Sequence, residues 1–234
     1  AVPLTMTHAL NLKLANPKLA APALALALAA LTGTASAQDA KAGEQKAAMC
    51  IGCHGLPGFQ HSFPEVHKVP MISGQNAKYI EASLQAYKKG DRKHPTMRAI
   101  AESLSDKDMA DLAAFYETHQ RPGRALKTVA DTPAVQPSAE VAALLAKGAC
   151  ASCHGVNFNK PIDGAYPKIA GQHADYLYVA LKSYKVEGNP LVGRNNAIMA
   201  TQVKQYTLAE LRAMSRYIAS LPGDLRVVEQ PKFR

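Results

Sequence analysis

Every cysteine of the chain falls in one of two matching patterns, Cys50-Ile51-Gly52-Cys53-His54 and Cys150-Ala151-Ser152-Cys153-His154. Two thiols three positions apart can each add to one vinyl group of the same porphyrin, and the histidine that follows is then held beneath the iron. The pattern therefore predicts two covalently attached c-type haems, with Cys50 and Cys53 on the first and Cys150 and Cys153 on the second. His54 and His154 are the expected axial ligands. Two disulfides or a four-thiolate zinc site would also use four cysteines. Zinc modules place their second pair within about 15–20 residues of the first, whereas 96 residues separate Cys53 from Cys150. Neither alternative calls for a histidine after each pair.

The identity of the sixth ligand separates a carrier from an enzyme, because only an open iron can take a substrate. The first half offers Met71, Met97, Met109, His61, His67, His94 and His119. A duplicated domain should keep its ligand at equivalent places, and Met97 and Met199 qualify, 43 residues after His54 and 45 after His154. Met109 and Met214 lie on apolar helix faces, where core packing is expected. Met71 is matched by Lys168, His94 by Asn196 and His173 by Asn76, so none of these recurs, and surface or capping roles are expected for the two histidines. The iron ligands are thus expected to be His54 with Met97 and His154 with Met199. Closed irons carry electrons by outer-sphere transfer, with no catalytic residue and no small-molecule substrate.

The elements that must position these groups are also duplicated. Pro70-Met71-Ile72-Ser73-Gly74-Gln75 is echoed by Pro167-Lys168-Ile169-Ala170-Gly171-Gln172. The segments that follow, Tyr79, Ile80, Leu84 and Tyr87 against Tyr176, Leu177, Leu181 and Tyr184, have helical spacing. Each helix is expected to stop near a glycine, Gly90 or Gly188. A loop carrying Met97 or Met199 comes next, and then Ser105 to Asp108 or Thr207 to Glu210, each a hydroxyl cap with an acid three positions on. Final helices follow, with Met109, Leu112, Ala113 and Tyr116, or Leu211, Met214 and Ile218, on their apolar faces. Helices also lead into each haem motif, over about 40–49 and 138–149. No alternating strand pattern appears, so the expected class is all-α. Aromatic content is 6% with no tryptophan, and a porphyrin in each half would add apolar bulk.

Residues 19–37 are uncharged, rich in Ala and Leu, and end in Ala35-Ser36-Ala37, with Lys13 and Lys18 before them. This reads as an export signal over residues 1–37, with cleavage and retention as an anchor both open. Domains are expected over 38–120 and 138–234, joined by a linker over 121–137 that contains Pro122, Gly123, Pro133 and Pro137.

Together these motifs resemble the cytochrome c4 family of periplasmic dihaem proteins. The resemblance implies two tandem class I cytochrome c-like helical domains related by a pseudo-twofold, with their haems approaching at the interface. It also implies electron delivery from a quinol-oxidising complex to a terminal haem-copper oxidase, often of the cbb3 type. Two further readings are open: the dihaem subunit of a flavocytochrome c sulfide dehydrogenase, and a dihaem peroxidase with one vacant iron.

The net charge is +9. Without residues 1–37 there are 25 basic against 18 acidic side chains, split as 13 against 11 over 38–132 and 12 against 7 over 133–234. A basic carrier suits acidic docking patches or an anionic membrane surface, while nucleic acid is not an expected partner in an exported protein. Lys88, Lys89, Arg92 and Lys93 form one basic cluster, expected to be a solvated helix end or part of a docking patch.

Overall fold

The chain divides into Ala1–Ala37 and Gln38–Arg234. A computed structural model describes residues 38–119 and 135–229, all in the second unit. The export segment and residues 121–134 of the expected linker lie outside the described residues.

In the first half, α1 (Ala40–Lys46) and α2 (Ala48–His54) lead through a small antiparallel pair, β1 (Gln60–His61) and β2 (His67–Lys68), to α3 (Ala77–Lys89). β3 (Arg92–Lys93), α4 (Pro95–Glu102) and α5 (Asp106–Thr118) complete it. The second half repeats the plan with α6 (Ala139–Lys147), α7 (Ala151–His154), α8 (Ala174–Ser183), β4 (Gly193–Arg194), α9 (Ala197–Lys204) and α10 (Leu208–Ser220). In the first half α1 and α3 pack on α5, and in the second α6 and α8 pack on α10. The expected apolar faces are buried, with Met109 at 0% and Met214 at 4% exposure, which places both methionines in cores.

Both capping boxes form: Ser105 and Thr207 accept from the N–H three residues on, while Asp108 and Glu210 accept from the cap residue's own N–H. α3 ends as expected, on Gly90 with φ 83°. α8 ends differently, on Ser183 with a right-handed Tyr184 cap, and Gly188 lies beyond it. Tight turns, Lys185 N–H to Lys182 O and Val186 N–H to Ser183 O, close that helix early and open the longer loop before Met199.

Each Pro-to-Gln repeat is a turn, closed by Gln75 N–H to the Ile72 carbonyl and by Gln172 N–H to the Ile169 carbonyl. Gly74 and Gly171 have φ of 85° and 72°, a conformation that favours glycine. Their N–H groups tie the turns to the final helices at the Tyr116 and Ile218 carbonyls. The four strands are two residues each, too short to leave an alternating signature. β3 nonetheless pairs with β4 and joins the halves, with Arg92 opposite Arg194.

α1 is fastened to α5 by an ionic contact that the periodicity does not show. The Asp111 side chain is fully buried and accepts from Lys46 Nζ at 2.9 Å and Lys107 Nζ at 3.0 Å. The Asp39 N–H donates to it as well, at 3.0 Å. Burial by itself would raise the Asp111 pKa, but these donors outweigh it and hold it at about 2. Asp111→Ala removes the acceptor that Lys46, Lys107 and the Asp39 N–H share, while Lys46 keeps Asp108 at 2.6 Å, and is expected to cost about 2 kcal/mol in urea unfolding. Breaking the exposed Arg98–Glu102 pair with Glu102→Ala should cost under about 1 kcal/mol. Because the Asp111 carboxyl is depressed, its contribution is complete above the ordinary carboxylate range and is lost as pH falls toward 2.

Candidate functional site

The two histidines that follow the cysteine pairs are held in the same way. His54 Nδ1 donates to the Pro70 carbonyl at 2.8 Å, and His154 Nδ1 donates to the Pro167 carbonyl at 3.1 Å. A carbonyl can only accept, so Nδ1 carries the proton and Nε2 keeps its lone pair in both rings. Burial lowers both pKa values and outweighs the carbonyl bonds, which favour the charged form. The neutral, oriented imidazole is the form that binds a metal.

A largely apolar cavity opens beside the first pair. Cys50, Cys53 and His54 line one side, Leu84 and Tyr87 of α3 another, and Met97 and Ile100 of α4 a third. The second half contributes Gln172, Tyr176 and Arg194 to the same cavity. The structure thus brings Cys50, Cys53, His54 and Met97 together. It does not bring Cys153, His154 and Met199 to that cavity. Cys150 packs against the Phe158, Ala170, Leu177 cluster, and Met199 against Leu144, Tyr178, Val203 and Tyr206.

Met97 and Met199 stand in the first turns of α4 and α9, not in open loop. His94 caps α4 by accepting from Met97 N–H at 3.4 Å, and Asn196 caps α9 by accepting from Met199 N–H at 3.0 Å. The mismatched His94 and Asn196 therefore do one job, holding the methionine's own backbone. His61, His67 and Met71 also line the cavity. His119 instead shares a hydrogen bond with Ser73 and stacks on Phe115, while Lys168, opposite Met71 in the repeat, pairs with Asp224.

Lys88 and Lys89 are exposed in the last turn of α3, as a solvated helix end should be, but the rest of the basic cluster is not. Arg92 turns into the cavity and Lys93 reaches the Asn189 carbonyl of the second half, while Lys88 donates to the Leu104 carbonyl. Arg92 donates to the Tyr79 hydroxyl at 2.7 Å and Arg194 to the Tyr176 hydroxyl at 3.1 Å. Among the described residues no carboxylate forms an ion pair with either guanidinium. Like charges directly opposite across paired strands are unfavourable without counter-ions. The carboxylates of a haem would supply that charge, so the residues present fit the group. Sequence reasoning missed these arginines, although each stands five positions before its methionine.

The cap on Met199 can be tested directly. Asn196→Ala leaves the first turn of α9 short of an acceptor and should lower stability by about 1 kcal/mol in chemical unfolding.

Both halves of the chain are similar to known proteins. The cytochrome c family model matches the chain twice, over residues 40–120 and 138–222. Cytochrome c4 of Azotobacter vinelandii is 33% identical over 79% of this chain and 90% of its own length. A thiosulfate dehydrogenase electron acceptor of Thiomonas intermedia is 29% identical over 77% of this chain and 82% of its own length. The crystal structure of reduced recombinant cytochrome c4 from Pseudomonas stutzeri superposes with a TM-score of 0.57, at 27% identity over 80% of this chain and 100% of that one. With a cysteine-pair and histidine motif in each matched segment, the chain belongs to the cytochrome c family as a dihaem electron-transfer protein of the cytochrome c4 type.

Proposed function

We propose that the chain is a periplasmic electron carrier with two six-coordinate haems and no catalytic residue of its own. Cys50 and Cys53 hold the first and Cys150 and Cys153 the second, in domains over 38–120 and 138–234. His54 with Met97, and His154 with Met199, are the axial pairs. The observation that carries this reading is the repeated arrangement of a carbonyl-held imidazole in each half and a methionine anchored at its N–H by the preceding cap. A bound haem supplies a one-electron couple between ferric and ferrous iron. The methionine sulfurs favour the ferrous form and raise the potential. The apolar walls around His54 exclude water, and Arg92 and Arg194, which line the same cavity, would pair with the carboxylates of a bound haem.

The donor in this reading is a quinol-oxidising complex and the acceptor a haem-copper oxidase of the cbb3 type or another periplasmic reductase. The greater positive charge of residues 133–234 suits an acidic docking face on a partner. Membrane association would rest on that charge or on residues 1–37, since among the described residues no helix is long and apolar enough to cross a bilayer. A second reading, electron acceptor in thiosulfate oxidation, is favoured by the likeness to proteins named for that role. Stopped-flow reduction by a purified quinol-oxidising complex and by a thiosulfate-oxidising enzyme separates the two.

Met97→Ala and Met199→Ala should each remove about half of the far-red sulfur-to-iron band of the ferric protein. An unchanged band in both variants would mean that the assigned sulfurs are wrong. Arg92→Gln removes a positive charge beside the first haem and should lower its midpoint potential in a spectroelectrochemical titration, whereas Arg92→Lys should restore most of it.

A further inference from the structure

Each carbonyl-held imidazole is joined to the opposite half through a single peptide unit. The Pro70 carbonyl accepts from His54 Nδ1, and the N–H of that same peptide, on Met71, donates to Gln172 Oε1 at 3.0 Å. In the other direction the Pro167 carbonyl accepts from His154 Nδ1, and the Lys168 N–H donates to Gln75 Oε1 at 2.9 Å. Both carboxamides close a second bond, from Gln172 Nε2 to the Met71 carbonyl and from Gln75 Nε2 to the Lys168 carbonyl, each at 2.9 Å. Each Oε1 also accepts from the next residue's N–H, on Asn76 or His173, at 3.0 Å. Gln75 and Gln172 are each 4% exposed. Two N–H donors on one side and a carbonyl on the other fix the amide orientation, because only Oε1 can accept and only Nε2 can donate.

Glutamines that served only to fasten the halves could bond any backbone groups. These two bond the peptides whose carbonyls hold the axial imidazoles. A peptide whose N–H is engaged is a stronger acceptor at its oxygen, by about 10–30% per bond in a chain. A stronger acceptor at Nδ1–H makes the imidazole a more basic ligand, which favours ferric iron.

From this geometry we infer that Gln172 tunes the iron bound by His54, and Gln75 the iron bound by His154, each acting as a positioning residue across the interface. This rests on the two histidines being iron ligands. Each redox centre then responds to whether the two halves are closed on one another, so a partner that parts them changes both potentials.

The test uses the full dihaem protein with 15N-labelled histidine, following haem and ring resonances by NMR through a redox titration. Gln172→Met keeps the side-chain length and removes both polar atoms. The expected result is a raised midpoint potential and a weakened Nδ1–H bond at the first haem, with a smaller change at the second. Gln75→Met should give the mirror image. Gln172→Glu keeps the acceptor, loses the amide donor and adds a negative charge, so the first haem should stay at or below its original potential. No shift, an equal shift at both haems, a larger shift at the haem of the substituted half than at the other, or a rise with Gln172→Glu equal to that with Gln172→Met would each overturn the inference. Absence of hyperfine-shifted His54 and His154 ring signals in the unsubstituted protein would instead remove the ligand assignment beneath it.

Discussion

An imidazole can offer Nε2 to an iron only if its Nδ1–H is satisfied elsewhere, and both halves meet this requirement with the carbonyl of a proline that opens a six-residue turn. Much of the remaining architecture serves to hold that carbonyl still. The left-handed glycine of the turn sends its N–H to the last helix, at Tyr116 in one half and Ile218 in the other. Those helices are the ones on which each half packs, and both begin with a reciprocal cap. A displacement of α5 or α10 would therefore reach the imidazole through two hydrogen bonds.

The symmetry is close at backbone level and looser in the side chains. His94 and Asn196 cap equivalent helices with different chemistry, and only the first half gathers His61, His67 and His94 near its cavity. Burial, with His61 and His67 beside it, pushes the His94 pKa down to about 4, which leaves that cap neutral and able to accept from Met97 N–H. The loop before Met199 is longer because Tyr184 stands 15 positions before its methionine where Tyr87 stands 10 before Met97, and because α8 closes early on Ser183. Two haems with the same ligand types would thus sit in different surroundings, and a difference between surroundings can set a difference in potential.

Most of the plan was legible from residue pattern. The cysteine pairs, the repeated turns, the caps and the apolar helix faces all depend on neighbours within a few positions, and local chemistry constrains them strongly. Asp111 was not legible, because its value comes from Lys46 and from the Asp39 backbone, far away in the chain. Arg92 was read as part of a surface cluster because Lys88, Lys89 and Lys93 surround it in the sequence. Its inward direction follows from pairing with Arg194 on a strand too short to show a period.

The sequence by itself determined the chemistry of attachment, the number of haems and the duplication, since thiol spacing, a following histidine and a repeated turn are all short-range properties. Only the tertiary structure decided how the halves are coupled. Gln75 and Gln172 look alike in the repeat, yet each acts on the other half's peptide, because the interface brings Met71 to Gln172 and Lys168 to Gln75. Hydrogen bonds of that kind join residues about a hundred positions apart. They leave no periodic trace, and they exist only once both turns have folded and met.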